Sequence, residues 1–169
     1  MSTPNASGSS VLVAYYSAHG HTGRVAETVA KTLGADTFVL TPADPYSEAD
    51  LNYNDPRSRV SREHDDPGKR HVELVSTTPD GFADYRTVLV GYPVWWGEAA
   101  WVLDDFVRQN DFSGKTVVPF CTSYSSPVGS SATRLAALDD TGDWKPGTRL
   151  EAAANAKAVT AWLHRIGVA

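Results

Sequence analysis

The stretch that decides the fold is Val11–Gly34, VLVAYYSAHGHTGRVAETVAKTLG. Its first part, Val11–Tyr16, is an apolar run of strand length with almost no alternation, which is typical of a strand buried on both faces of a parallel sheet. After the polar turn Ser17–Gly23, apolar residues recur at helical spacing and Gly34 supplies a left-handed cap. These apolar positions are Val25, Ala26, Val29, Ala30 and Leu33. The stretch therefore predicts a strand, a tight turn and a helix.

The rest of the chain repeats this alternation. Further strands are predicted at Thr37–Leu40, Thr87–Tyr92 and Thr116–Phe120, with a weak fifth strand near Gly147–Glu151. Helical periodicity covers residues 98–110, residues 130–140 with Ser130 or Ser131 as the cap, and a C-terminal segment that carries Val159, Trp162, Leu163 and Ile166. Strands that alternate with helices predict an α/β fold, a parallel sheet with helices on both faces.

Residues 41–84 are too long for a plain connection, and such segments are usually functional or contain elements of their own. Asp55 as N-cap and Pro56 at the first helical position predict a short helix here. We interpret its charged residues as a solvated helix face, with a lid over a ligand as the alternative. These residues are Arg57, Arg59, Arg62, Glu63, Asp65 and Asp66.

Composition narrows the functional classes. A chain of 169 residues with 41% hydrophobic residues fits one domain, residues 11–169, after a flexible leader, residues 1–10. Its net charge of -5 comes without a basic block, so nucleic acid is not an expected partner. The single cysteine, Cys121, fits a reducing compartment. The chain has no signal-peptide pattern and no run of bilayer length, so we expect a cytoplasmic protein without membrane insertion.

The turn Ser17–Gly23 follows a buried strand, the place where open α/β sheets bind ligands. Ser17 and Thr22 offer hydroxyl groups, Gly20 allows close backbone approach, and the first N–H groups of the helix favour an anion. A metal at His19 and His21 is disfavoured because nothing nearby supplies further ligands. We therefore predict a phosphate contact for these histidines, with solvent exposure as the alternative.

Two more loops follow predicted strands at the same edge, Tyr92–Glu98 and Cys121–Ser131. A flat aromatic ligand could stack there on Trp95, Trp96 or Tyr124, although at least one tryptophan of the pair is expected to pack inward. Cys121 is interpreted as a packing residue, since no histidine adjoins it as a base. The GKT at residues 114–116 is interpreted as a turn, because it lacks the upstream glycine of a P-loop.

Three stretches now carry a family resemblance: AYYSAHGHTGRVAE, VLVGYPVWWGEAAWVLDDFV and DFSGKTVVPFCTSYSSPVGSS. Together they resemble the flavodoxin-like family, specifically short-chain flavodoxin-type proteins with a GYPxWWG loop and an FxTSxxSxxG loop. The resemblance implies a three-layer αβα sandwich around a five-stranded parallel sheet of order 2-1-3-4-5. It also implies noncovalently bound FMN, with the phosphate in the first loop and the isoalloxazine ring between the other two.

The resemblance assigns site residues position by position. The phosphate would be held by Ser17, His19, Gly20, His21 and Thr22. The ring would be lined by Pro93, Val94, Trp95, Trp96 and Gly97, and its other edge by Thr122, Ser123, Tyr124, Ser125, Ser126 and Gly129. The first loop departs from the usual S/T-x-T-G-N-T, because His19 replaces a threonine and His21 an asparagine.

The expected function is electron transfer through bound FMN. The alternatives are an NAD(P)H-dependent quinone or flavin reductase and a flavodoxin-fold binding module with a degenerate flavin site. No catalytic acid or base stands out in the three loops, which favours simple redox exchange. The expected partners are a redox protein, or a small quinone and NAD(P)H, for a chain that acts as a monomer or homodimer.

Overall fold

A parallel β-sheet runs through the middle of the structure, a computed structural model that describes residues 10–123 and 126–168. In chain order its strands are β1 Val11–Tyr15, β2 Asp36–Val39, β3 Thr87–Trp95, β4 Glu98–Ala99, β5 Thr116–Ser123, β6 Asp143–Trp144 and β7 Thr148–Glu151. The spatial order is β2-β1-β3-β5, and both β6 and β7 pair in parallel with β5. Two short strands thus fill the fifth position, and the predicted order 2-1-3-4-5 is confirmed.

The helices are α1 His21–Leu33, α2 Arg59–Asp65, α3 Asp104–Arg108, α4 Ser131–Ala136 and α5 Ala156–Ile166. On one face of the sheet, α1 and α5 pack against Val13 and Tyr15 of β1. On the other face, α2, α3 and α4 contribute to a second core with Leu12 and Ala14. The continuous apolar run of β1 is therefore buried on both sides, and the three-layer arrangement is confirmed.

Of the two helix caps predicted at Gly34 and at Ser130 or Ser131, the structure shows the first in full and the second only in part. Gly34 adopts φ 64° and donates its N–H to the carbonyls of Ala30 and Lys31, as expected of a left-handed cap. At α4, Ser130 occupies the N-cap position, but its hydroxyl makes no capping hydrogen bond in the described part of the chain. The neighbouring Ser131 hydroxyl instead contacts Tyr92 Oη at 2.8 Å, which ties α4 to β3.

The predicted helix over residues 98–110 is wrong in its first part. The end of β3 and the short strand β4 form an antiparallel hairpin in which Trp95 pairs with Glu98. A 3₁₀ turn at Trp101–Leu103 then leads into α3. Trp96 and Gly97 form the turn with φ values of 49° and 77°. Positive φ at both central residues matches the right-handed twist of the strands, so the hairpin competes with helical periodicity here.

The long segment of residues 41–84 contains α2, 3₁₀ turns at Pro67–Lys69 and Phe82–Asp84, and a bridge between Pro42 and Leu74. The N-cap of α2 is Ser58, so the predicted cap at Asp55 is wrong. The Asp55 carboxylate accepts the N–H of Arg57 and closes a turn that precedes the helix. No helix of the described residues is long and apolar enough to cross a membrane.

The interpretation of the charged residues as a solvated helix face is wrong for Arg59 and Glu63, whereas the other four, Arg57, Arg62, Asp65 and Asp66, are exposed. The side chain of Glu63 is only 8% exposed and that of Arg59 only 18%. Glu63 accepts hydrogen bonds from Tyr46 Oη, Arg59 Nε and Trp101 Nε1. One face of α2 is therefore held against Tyr46 and Trp101 by a buried carboxylate.

Candidate functional site

The loop after β1 and the ends of β3 and β5, with the loops that follow them, meet at the carboxyl edge of the sheet and line one cavity of about 600 Å³. Ten of the residues predicted for the site line it: His19, His21, Thr22, Pro93, Val94, Trp95, Trp96, Thr122, Ser123 and Ser126. Ser17, Gly20, Gly97 and Gly129 lie outside the lining, and Tyr124 and Ser125 lie outside the described residues. The topology of a parallel sheet brings these loops together, because its strands all end at one edge.

The Ser17 side chain fixes the conformation of the first loop by accepting two backbone hydrogen bonds. Its Oγ accepts the backbone N–H of Gly20 at 3.1 Å and that of Gly23 at 3.0 Å. Gly20 has φ 90°, a conformation that glycine adopts without strain, and it serves as the N-cap of α1. The serine hydroxyl thus fixes the loop, while His19, His21 and Thr22 present their side chains to the cavity.

A pair of threonines joins the first loop to the third. Thr22 Oγ1 and Thr122 Oγ1 lie 2.7 Å apart, and both residues are buried. Thr22 is in the first turn of α1 and Thr122 is near the end of β5. This contact fixes the distance between the start of the helix and the far wall of the cavity.

The second loop places two indoles differently. Trp95 is half-buried and packs edge-to-face on Tyr16 at 5.9 Å and on Trp101 at 4.9 Å between ring centroids. Trp96 is 40% exposed and stacks on the His64 ring, with centroids 4.2 Å apart and planes 4° apart. Both indoles nevertheless line the cavity. The expectation that one tryptophan packs inward therefore describes Trp95, which also keeps contact with the cavity.

The third loop is held from the neighbouring strand. Ser123 Oγ donates to the carbonyl of Ser126, which folds the loop back on itself. Arg149 on β7 donates from Nε to Ser123 Oγ at 2.9 Å and from Nη2 to the Ser123 carbonyl at 3.0 Å. The wall of the cavity at Ser123 is thus backed by a guanidinium group.

Sequence reasoning missed five lining residues: Ala18, Leu51, Tyr53, Val60 and Ala152. Ala152 directly follows β7, so the same rule of strand ends could have found it. Leu51, Tyr53 and Val60 come from the 41–84 segment, whose sequence carries no periodicity that aims them at the sheet. Tyr53 is 68% exposed and lies edge-on to Trp96, with ring centroids 6.5 Å apart. These two aromatic side chains form the mouth of the cavity.

The cavity is poor in negative charge. None of the described residues that line it is an aspartate or glutamate, and its ionisable side chains are His19, His21 and Tyr53. Behind the wall, burial raises the pKa of the Cys121 thiol to about 11, against the opposing effect of the Arg149 charge. In the described residues, no three His, Cys, Asp or Glu side chains are grouped so as to hold a metal ion.

Comparison with known proteins agrees with this arrangement. A candidate flavoprotein from Bacteroides eggerthii is 41% identical, with 94% of this chain and 98% of that chain covered and a TM-score of 0.84. A second, from Bacteroides uniformis, is 36% identical over 93% and 99% of the two chains, also with a TM-score of 0.84. A Lactobacillus acidophilus flavoprotein in complex with FMN is 19% identical over 90% and 97%, with a TM-score of 0.64, and shares the fold.

No curated protein gives a significant match to the chain. The family model described as Flavodoxin matches residues 10–166, which is nearly the whole sequence. The match includes all three loops of the cavity and the segment that forms its mouth. The chain therefore belongs to the Flavodoxin family.

Proposed function

We propose that this protein binds FMN noncovalently in the cavity between its three loops and exchanges electrons through it. A volume of about 600 Å³ is within the range of small-molecule sites, roughly 300–1,000 Å³. The observation that carries the proposal is the division of the cavity into two ends. One end has imidazoles, a hydroxyl and a helix start, and the other has aromatic rings.

The polar end suits a phosphate. His19, His21 and Thr22 surround the beginning of α1, where backbone N–H groups lack intrahelical acceptors and the helix dipole is positive. Such a helix start favours a phosphate dianion, and protonated imidazoles would add to this. The two histidines thus offer N–H donors where related sequences offer a hydroxyl and an amide.

The aromatic end suits a flat ring system. Trp95 and Trp96 provide π-faces, Pro93 and Val94 provide apolar contact, and Thr122 and Ser123 provide polar groups at the opposite wall. Bound FMN would supply the redox chemistry. The residues of this chain bind the ring, orient it and exclude water from its inner edge.

A second candidate function, an NAD(P)H-dependent quinone or flavin reductase, is favoured by the mouth of the cavity. Tyr53 and Trp96 are two of the three large hydrophobic side chains that are exposed among the described residues. Exposed aromatic rings beside a cavity offer a stacking surface for a second planar molecule. A reductase would bind its nicotinamide or quinone on this surface, whereas an electron carrier would bind a redox partner protein there.

The test is a fluorescence titration of the ligand-free protein with FMN and, in parallel, with riboflavin, which has the same ring without the phosphate. We expect FMN to bind at least about tenfold more tightly, because a charge-assisted phosphate contact contributes about 1.5 kcal/mol or more. Protein that binds neither ligand would contradict the proposal and would indicate a binding module with a degenerate site. Rapid oxidation of NAD(P)H by the FMN-loaded protein with a quinone acceptor would identify the reductase.

A further inference from the structure

We propose that Arg149 raises the reduction potential of FMN in this cavity by placing a positive charge behind the wall formed by Ser123. The inference rests on the proposed function and adds a role for a residue outside the cavity lining. Arg149 lies on β7, opposite Cys121 of β5. Its hydrogen bonds to Ser123 fix its position, and its charge acts through space without contact to the ligand.

Two hydrogen bonds fix the position and orientation of the Arg149 guanidinium group. It binds both the hydroxyl and the carbonyl oxygen of Ser123, with distances of 2.9 and 3.0 Å. Ser123 lines the cavity, and its hydroxyl in turn donates to Ser126, which also lines it. The charge is therefore one hydrogen-bonded residue away from the cavity.

The surroundings allow this charge to act. Arg149 is half-buried, and no carboxylate is present among the described lining residues to oppose it. Its field already reaches the buried Cys121, whose thiol pKa it lowers in opposition to burial. Glu151, two residues further along β7, is exposed, so water and salt screen its charge more strongly.

The effect on redox chemistry follows from charge balance. Two electrons and one proton, delivered by any reductant, leave a flavin ring with one negative charge. A nearby fixed cation stabilises that charge relative to the neutral oxidised ring, and charge near the ring is one of the means by which proteins tune flavins. Arg149 should therefore increase the affinity for reduced FMN relative to the affinity for oxidised FMN.

The experiment measures the midpoint potential of the FMN-loaded protein against a redox dye, together with the affinity for oxidised FMN. We expect Arg149→Gln and Arg149→Met to weaken binding of reduced relative to oxidised FMN about tenfold, which lowers a two-electron potential by about 30 mV. Arg149→Lys keeps the charge and should keep the ratio within about twofold. Arg165→Gln, the same charge change at an exposed position of α5, is the matched control and should leave the potential unchanged.

The two neutral variants separate charge from loop shape. Arg149→Gln keeps an amide that can still bind Ser123 and Arg149→Met does not, so equal drops in potential in both variants assign the effect to the lost charge. An unchanged potential in Arg149→Gln, or an equal drop in Arg149→Lys, would overturn the inference. Failure of the unsubstituted protein to bind FMN would instead overturn the proposed function, so the two failures are distinguishable.

Discussion

Trp101 Nε1 donates a 2.9 Å hydrogen bond to Glu63 Oε1, and both side chains are buried. Glu63 belongs to α2 in the 41–84 segment, whereas Trp101 follows the hairpin of the second loop. Trp95, which lines the cavity, packs edge-to-face on Trp101. One buried carboxylate therefore connects the segment at the mouth of the cavity to the wall that is expected to hold the flavin ring.

Glu63→Ala should lower the free energy of unfolding by about 3 kcal/mol, because removal of the buried carboxylate leaves three donors without their acceptor. The donors that lose their acceptor are Arg59 Nε, Tyr46 Oη and Trp101 Nε1. Urea denaturation measures the change. Glu48→Ala, at an exposed position, is the control and should stay within about 0.5 kcal/mol of the unsubstituted protein. Equal stability of the two variants would show that the buried network is not stabilising.

The sequence predicts this part of the chain least well, for a physical reason. Two of the three partners of Glu63, Tyr46 and Trp101, lie 17 and 38 residues away, so only the tertiary fold brings them together. By contrast, β1 and α1 are specified by neighbouring residues, by burial of a continuous apolar run and by a glycine cap. Local patterns therefore predict the alternating strands and helices and the three loops, and the family resemblance predicts the strand order. Neither predicts that Leu51, Tyr53 and Val60 line the cavity.

Lys115→Met should destabilise the fold by about 1–3 kcal/mol, the usual cost of buried polar groups that lose their partners. Lys115 is 5% exposed, and its Nζ donates to the carbonyls of Phe82 and Tyr85. Methionine fills the same space without a donor. Lys145→Met, at a half-exposed side chain, is the control in the same denaturation measurement. If both variants lost the same stability, the carbonyl contacts of Lys115 would be unimportant.

Gly91→Ala should cost about 1–3 kcal/mol through overpacking. Gly91 on β3 faces Phe120 on β5, and an added Cβ would lie 2.5 Å from Phe120 Cζ. Phe120 is fully buried against Trp162, so its ring has little room to move. A double-mutant cycle with Phe120→Leu measures the contact, because the alanine should cost less beside the smaller side chain. Strict additivity of the two substitutions would contradict this explanation.

The Cys121 thiol should be nearly inert at neutral pH. Burial raises its pKa to about 11, above the usual value of about 8.5, so little thiolate forms. We expect alkylation at about pH 8 to be at least a hundredfold slower in the native protein than in urea.

The same shift gives a stability prediction. The native thiol holds its proton more tightly than the unfolded one, so this contribution is complete below about pH 8.5 and is lost as the pH rises to about 11. Other groups titrate in this range, so Cys121→Ala is the reference. The stability of the unsubstituted protein should fall relative to that of the variant as the pH rises. A constant difference between them would contradict the raised pKa.

His19→Ala should weaken FMN binding by about tenfold, because the imidazole can donate a charge-assisted hydrogen bond to the phosphate. His19 lines the polar end of the cavity, next to the start of α1. Fluorescence titration measures the loss, and His164→Ala at an exposed position of α5 is the control. Riboflavin lacks the phosphate, so its affinity should not change. An unchanged affinity for FMN would mean that His19 does not contact the phosphate, whereas a loss for riboflavin would place His19 against the ring.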